Sequence, residues 1–194
     1  MLVRGERCLF ANLEFSVSAG ELLVLEGRNG SGKTSLLKTI VGILEPDDGD
    51  LHWNGAPVRR QRQAFLAATV WLSHRTGLKP DLTAIENLRF EAALRPTCMR
   101  DLEEVLERLG VLRLRKLPVR SLSAGQQRRV SLARMLLAAA PLWLMDEPFT
   151  NLDREGRALV EELVAEHVGN GGLCIMAAHQ DVAIDVPTTR LRLQ

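Results

Sequence analysis

Eight consecutive residues constrain this chain more than any others: Gly27-Arg28-Asn29-Gly30-Ser31-Gly32-Lys33-Thr34. They satisfy G-x-x-x-x-G-K-[ST], and their flanks are those the pattern needs to become a site. The apolar run Glu21-Leu22-Leu23-Val24-Leu25-Glu26 reads as a strand, and Ser35-Leu36-Leu37-Lys38-Thr39-Ile40-Val41 reads as a helix. In a strand–loop–helix unit the glycines let the backbone curl, so that successive N–H groups face phosphate oxygens. The helix N-terminus adds its partial positive charge at the same spot. Lys33 can reach β- and γ-phosphates, and the Thr34 hydroxyl can ligate Mg²⁺. Gly27 through Ser35 is therefore the expected nucleotide cradle.

A second segment, Leu142-Trp143-Leu144-Met145-Asp146-Glu147-Pro148, is a buried-strand pattern ending in two acids. Asp146 suits the coordination shell of a hard cation. Glu147 can polarise an attacking water, and general-base help of this kind is worth roughly 10²–10⁴-fold. In isolation the two acids read equally well as a solvated turn. Behind a phosphate loop, hydrolysis of a nucleoside triphosphate uses both.

The middle of the chain is helical. Thr83-Ala84-Ile85-Glu86 has the form of a capping box, and Ile85, Leu88 and Ala92 are expected to share a face. Leu102, Val105, Leu106 and Leu109 form a second stripe, which Gly110 is placed to end. Ser123 is a good N-cap for a helix carrying Val130, Ala133 and Leu137 on one side. Elsewhere Leu13-Glu14-Phe15-Ser16-Val17 alternates as a half-buried strand does. Leu51-His52-Trp53 reads as a short strand closed by Asn54-Gly55. Leu159, Val160, Leu163 and Val164 mark a helix, and Gly171-Gly172 lead into a buried strand, Leu173–Ala177, that ends near His179. Strand–helix alternation predicts an α/β fold with a mainly parallel sheet and ligands at the strands' carboxyl ends.

A chain of 194 residues fits one domain. A net charge of +1 and the absence of tyrosine give no electrostatic pull or stacking platform for nucleic acid, so no nucleic-acid partner is expected. Arg59-Arg60-Gln61-Arg62 is the one basic cluster and reads as a solvated turn. Cys8, Cys98 and Cys174 are scattered and odd in number, which reads as reduced thiols in a cytosolic setting. The first residues lack the apolar core of a secretory signal. The longest uncharged apolar stretch falls well short of the ~20 residues of a membrane helix, so any membrane link is expected through a partner.

Leu122-Ser123-Ala124-Gly125-Gln126 closely resembles the L-S-G-G-Q signature of ATP-binding-cassette (ABC) ATPases, with Ala124 at the first glycine. The resemblance runs over nearly the whole chain and in the family's order: phosphate loop, helical insert, signature, acid-ended strand, Asn151-Leu152-Asp153 and His179. It implies a P-loop NTPase fold spanning 1–194, with an antiparallel β subdomain and a helical subdomain at about 75–135. It also implies ATP and Mg²⁺ as cofactors and a head-to-tail homodimer that sandwiches two nucleotides. Ser123, Gly125 and Gln126 would contact the γ-phosphate held by the opposite subunit, and Asp153 would cross the interface. His179 would sense the γ-phosphate and, with Glu147, fix the water. A single chain has one copy of each motif, so two copies are required.

The stretch from Trp71 through His74, Lys79 and Thr83 to Leu88 is similar to the ATP-binding subunits of cytochrome c maturation haem exporters. That resemblance implies integral membrane partners of the haem-exporter type and a peripheral place on the cytoplasmic face of the inner membrane. Most ABC ATPases have glutamine where His74 falls. His74 is expected to touch Mg²⁺ or water and relay nucleotide state; the rival role is a haem contact. Ser73 stands where that group has glycine. The aromatic that usually stacks on adenine is missing near Arg4-Gly5, where Arg4 can offer a guanidinium stack. The chain is expected to start late, without most of the family's first strand. Three alternatives stay open: an ABC transporter ATPase for another cargo, a soluble non-transport ABC ATPase, and a nucleotide-binding regulator without turnover.

Overall fold

Four loops of the expected site leave the same end of one parallel sheet, and the strand order explains how. The computed structural model describes residues 1–4, 7–94, 101–179 and 182–193, apart from the side chains of Arg4 and Arg7. The expectations on Cys98 and on Arg4's guanidinium lie outside the described residues. In chain order, β1 (Leu2–Arg4) and β2 (Arg7–Phe10) form an antiparallel hairpin, and β3 (Leu22–Glu26) leads through the phosphate loop into α1 (Lys33–Ile40). A second hairpin, β4 (His52–Trp53) and β5 (Ala56–Pro57), turns at Asn54 and Gly55. Both turn residues have positive φ, 50° and 77°, as a two-residue hairpin loop of this hand requires. Then follow α2 (Arg62–Ala67), β6 (Thr69–Leu72), α3 (Ala84–Leu94), α4 (Leu102–Arg108) and α5 (Ala124–Leu137). The chain closes with β7 (Leu142–Asp146), α6 (Arg154–Gly169), β8 (Leu173–Ala177) and β9 (Thr188–Arg192).

The five-stranded sheet runs β6-β7-β8-β3-β9, every pair parallel. Because the strands are parallel, the residues after β6, β7, β8 and β3 all emerge at one edge. Those residues include His74, Glu147, His179 and the phosphate loop. Strands β3, β6, β7 and β8 are buried on both faces, as continuous apolar strands predict, whereas β9 at the edge is mostly exposed. Along β3, Leu22 and Val24 join one core cluster while Leu23 and Leu25 join the other. Along β7, Trp143 and Met145 face the first cluster, and Leu142 and Leu144 the second. This is the period-2 alternation of a strand, with each buried leucine worth roughly 1.5–3 kcal/mol. Leu36, Leu37 and Ile40 of α1 cover one face. On the other face, residues from α3, α4, α5 and α6 share one unbroken cluster with the sheet.

Two local expectations need correction. Leu13–Val17 is not a strand: Leu13, Phe15 and Val17 are half-buried and pack against the α1-side core, but the segment has no ladder partner among the described residues. Alternation reports which side chains face the core, whereas a strand also needs a neighbouring backbone. On α3 the buried residues are Ala84, Asn87 and Leu88, with Ile85 and Ala92 only partly covered. Asn87 displaces the expected apolar face because it organises the loop before the helix. Its amide donates to Lys79 O, Leu82 O and Thr83 O at 3.0, 3.3 and 3.0 Å, and its Oδ1 accepts from Lys79 N at 2.7 Å. The Thr83–Glu86 capping box is present, with Thr83 N donating to Glu86 Oε2 at 2.8 Å and Glu86 N to Thr83 Oγ1 at 3.3 Å. Gly110 follows α4 at φ 68°, the left-handed conformation that suits a glycine stop. Among the described residues, no helix is long and apolar enough to cross a membrane.

Candidate nucleotide site

The loop after β3 bends sharply at Gly27, with φ 147°. A Cβ there would lie 2.5 Å from Ser31 Oγ and 2.6 Å from the Leu193 carbonyl, so only glycine fits. Lys33 is buried, and its Nζ donates to the carbonyls of Gly27 at 2.6 Å and Arg28 at 3.1 Å. Burial pulls the Lys33 pKa below its ordinary value, while Glu147 and Asp146 oppose that shift. An ammonium held inside its own loop in this way is poised for a polyanion.

Asp146 ends β7 and is only 1% exposed. Its Oδ1 accepts from the Thr34 hydroxyl at 3.1 Å, whereas Oδ2 is buried without a hydrogen-bond partner. Burial is the main reason that its pKa is raised, and the Thr34 bond works against the rise. A hydroxyl beside a half-satisfied buried carboxylate fits a hard cation that prefers oxygen. Among the described residues no group of three or more His, Cys, Asp or Glu could hold a metal, so nucleotide oxygens or water would complete such a shell.

Glu147 has φ 49°, unusual for a non-glycine residue. Its N–H donates to Ala177 O on β8 at 2.9 Å, and its carbonyl accepts from Thr150 N at 3.2 Å. The turn aims its carboxylate at two histidines. Oε1 lies 2.6 Å from His179 Nε2, and Oε2 lies 3.9 Å from His74 Nε2. An open cleft of about 330 Å³ is lined by Leu9, Asn29, Gly30, Gly32 to Ser35, Glu147 and His179. The structure thus gathers the phosphate loop, Asp146, Glu147 and His179, and sets His74 at the carboxylate's other side.

The signature residues are not gathered with them. Ser123 and Gln126 form a reciprocal cap on α5, Gln126 N donating to Ser123 Oγ at 3.3 Å and Ser123 N to Gln126 Oε1 at 2.9 Å. Gly125 packs so closely that a Cβ would sit 2.8 Å from the Asn151 carbonyl. Asp153 caps α6, accepting from Gly156 N at 2.8 Å, and lies 3.3 Å from Arg129. The Gly156 bond is the main cause of its lowered pKa. Ser123, Gly125, Gln126 and Asp153 are all absent from the lining of the cleft.

Sequence reasoning passed over Arg128. It is 2% exposed and donates to four main-chain carbonyls: Ser73 at 2.7 Å, Asp146 at 3.0 Å, Glu147 at 2.7 Å and Pro148 at 3.2 Å. Desolvation pulls its pKa down to about 10, against the pull of Asp146 and Glu147. The available signal was an arginine set among the apolar positions of α5, three residues before Ser131 and six before Arg134. Those two also bond the loop after β6, through Thr76 O at 3.2 and 3.1 Å.

A profile of the ABC transporter family matches residues 10–150. The cytochrome c biogenesis ATP-binding export protein CcmA of Vibrio parahaemolyticus is 44% identical over 191 residues, covering 97% of this chain and 93% of the relative. The chain belongs to the ABC transporter ATPases, among the CcmA proteins. ATPases of this family bind ATP. Among solved structures, an ABC transporter ATP-binding protein from Pyrococcus furiosus superposes with a TM-score of 0.83 at 26% identity, covering 98% of this chain and 94% of its own. A dimeric, post-hydrolysis structure of the ATP-binding cassette MJ0796 with ADP and Pi shares the fold, with a TM-score of 0.79 at 23% identity over 92% of this chain and 84% of its own.

Proposed function

We propose that this ABC ATPase hydrolyses ATP between two copies of itself and so drives a haem-exporter-type membrane complex of cytochrome c maturation. The observation that carries the hydrolytic reading is the 2.6 Å pairing of Glu147 with His179 at the mouth of the phosphate-loop cleft. Glu147 takes the proton of the attacking water, and His179 holds the carboxylate in place and donates to the γ-phosphate. Lys33 leaves its loop carbonyls for the β- and γ-phosphates. Asp146 and Thr34 would hold Mg²⁺, which would neutralise charge on the phosphate oxygens.

The same geometry supports a homodimer. Ser123, Gly125, Gln126 and Asp153 stand apart from the cleft, so a second protomer supplies them to the γ-phosphate of the first. His74 faces Glu147 from the adjacent strand end, which favours a role with nucleotide and water over contact with haem. The span 75–135 carries motion outward. Phe90, Leu94 and Leu117 expose apolar surface there, suited to integral membrane subunits at the cytoplasmic face of the inner membrane. The export role comes from the Vibrio relative's name and from the resemblance around His74.

Phosphate release should be measured for the wild type and for Glu147→Gln, and the protein isolated with its membrane fraction. Turnover in the wild type, its loss in the variant and co-isolation of small integral membrane subunits support the proposal. Equal turnover in both proteins contradicts the hydrolytic role of Glu147, and recovery of ribosomes or DNA contradicts the transport role.

A further inference from the structure

We infer that Arg128 is a positioning residue for hydrolysis, one whose guanidinium locks the main chain at Asp146 and Glu147 to the loop that carries His74. The inference rests on the assignment of Glu147 given above. Arginine is rarely buried unless it is paired. Among the described residues Arg128 makes no ion pair, and its hydrogen bonds go to carbonyls alone. Three of those carbonyls belong to the consecutive residues Asp146, Glu147 and Pro148, and the fourth belongs to Ser73, across the strand pair β6–β7. One planar cation therefore spans two strand ends, which no single main-chain donor can do.

The positions held are those the chemistry needs held. Glu147 sits at φ 49°, a conformation that persists only where the surroundings over-determine it. Ala177 O holds its N–H from one side, while Arg128 and Thr150 N hold its carbonyl from the other. On the far side of His74, Ser131 and Arg134 bond Thr76 O. Positions 128, 131 and 134 are three apart, so they form one stripe along α5. This stripe ties the loop at Ser73 and at Thr76, on either side of His74, to the helix that begins with the signature residues. A shift of α5 thus moves the Glu147 turn and His74 together. None of the phosphate-loop residues bonds Arg128, and at Asp146 it holds the main-chain carbonyl rather than the carboxylate, so nucleotide affinity is expected to depend on it little.

The test is Arg128→Lys, which keeps the charge but cannot reach four carbonyls, together with Arg128→Ala. For each, kcat and KM for ATP, the affinity for a fluorescent ATP analogue and the melting temperature are measured. The expected result is a kcat lower by about tenfold or more, of the order that small misplacements of a catalytic group produce, with KM and affinity within about threefold. Millimolar guanidinium should partly restore kcat in Arg128→Ala. An Arg128→Lys protein with kcat within twofold of wild type overturns the inference. So does one that loses affinity in step with kcat, or one too unstable to purify, because each makes Arg128 a stabiliser of the fold only. Glu147→Gln run in parallel separates the two claims. Normal turnover there removes the carboxylate assignment, whereas an inactive Glu147→Gln beside a normal Arg128→Lys removes this inference alone.

Discussion

Adding one methyl group at Gly125 should lower turnover and leave ATP affinity intact. The new Cβ would stand 2.8 Å from the Asn151 carbonyl, and the obstacle is main chain rather than the loose end of a side chain. Relief requires α5 and the Asn151-Leu152-Asp153 segment to part by about half an ångström. Overpacking of this kind costs about 1–3 kcal/mol. Against it stands the gain in helix propensity from Gly to Ala, ~1 kcal/mol in a helix interior and smaller here, because Gly125 is the second residue of α5. The clash wins, with a net penalty of about 1–2 kcal/mol that falls on two elements proposed to face the second protomer. That penalty is a cost to the folded protein and should lower the melting temperature by about 2–8 °C, while the displacement of elements proposed to complete the partner's site should lower kcat about tenfold. Affinity is spared because neither Gly125 nor Asn151 lines the cleft. Steady-state phosphate release gives kcat, a fluorescent-nucleotide titration gives affinity, and a thermal melt reports the fold. A Gly125→Ala protein that melts higher than wild type and turns over normally would show that no such clash exists.

Three further outcomes are expected. His179→Ala removes the 2.6 Å partner of Glu147 and should reduce kcat by roughly 10²-fold or more while ATP still binds; turnover within threefold of wild type speaks against the pairing. Thr34→Val deprives buried Asp146 of its hydroxyl donor, a loss of about 1.5–3 kcal/mol for a bond to a charged group, and should lower the melting temperature by about 3–12 °C in the nucleotide-free protein. Burial also holds the pKa of His167 below its ordinary 6.5, where its ring stacks on Trp143 at 4.0 Å. The unfolded chain then binds more protons than the folded one as pH falls past 6.5, so stability from this source is full above that value and is lost toward the depressed one. His167→Gln should flatten that part of the stability profile, and an unaltered slope would show that the acid sensitivity lies elsewhere.

The motifs were legible because each is a short local segment: Gly27 to Thr34, the acids after β7, and the cap at Ser123. The strands β3, β7 and β8 were legible because burial on both faces leaves apolar runs with clear ends. Other parts were hidden for definite reasons. Phe65 to Leu72 is nearly one apolar run, yet it contains the end of α2 and the whole of β6, and periodicity cannot place the break at Ala68. The strand β9 carries mostly exposed residues and is held by its ladder to β3 and by side-chain bonds such as Arg190 with Glu26, so it has little apolar signature. Arg128 gathers carbonyls that lie 18 to 55 residues away in sequence, which no local pattern reports. Leu13–Val17 showed the right face and lacked the partner strand that alternation alone cannot guarantee.

Sedimentation velocity of the Glu147→Gln protein, with and without saturating ATP and Mg²⁺, tests most directly whether two copies complete each other's sites. Monomers are expected without nucleotide and a two-copy species once ATP is added, reversed when Ser123 or Gly125 is also replaced. Monomers that persist in saturating ATP, or dimers that form regardless of nucleotide, would contradict completion of one copy's site by the other.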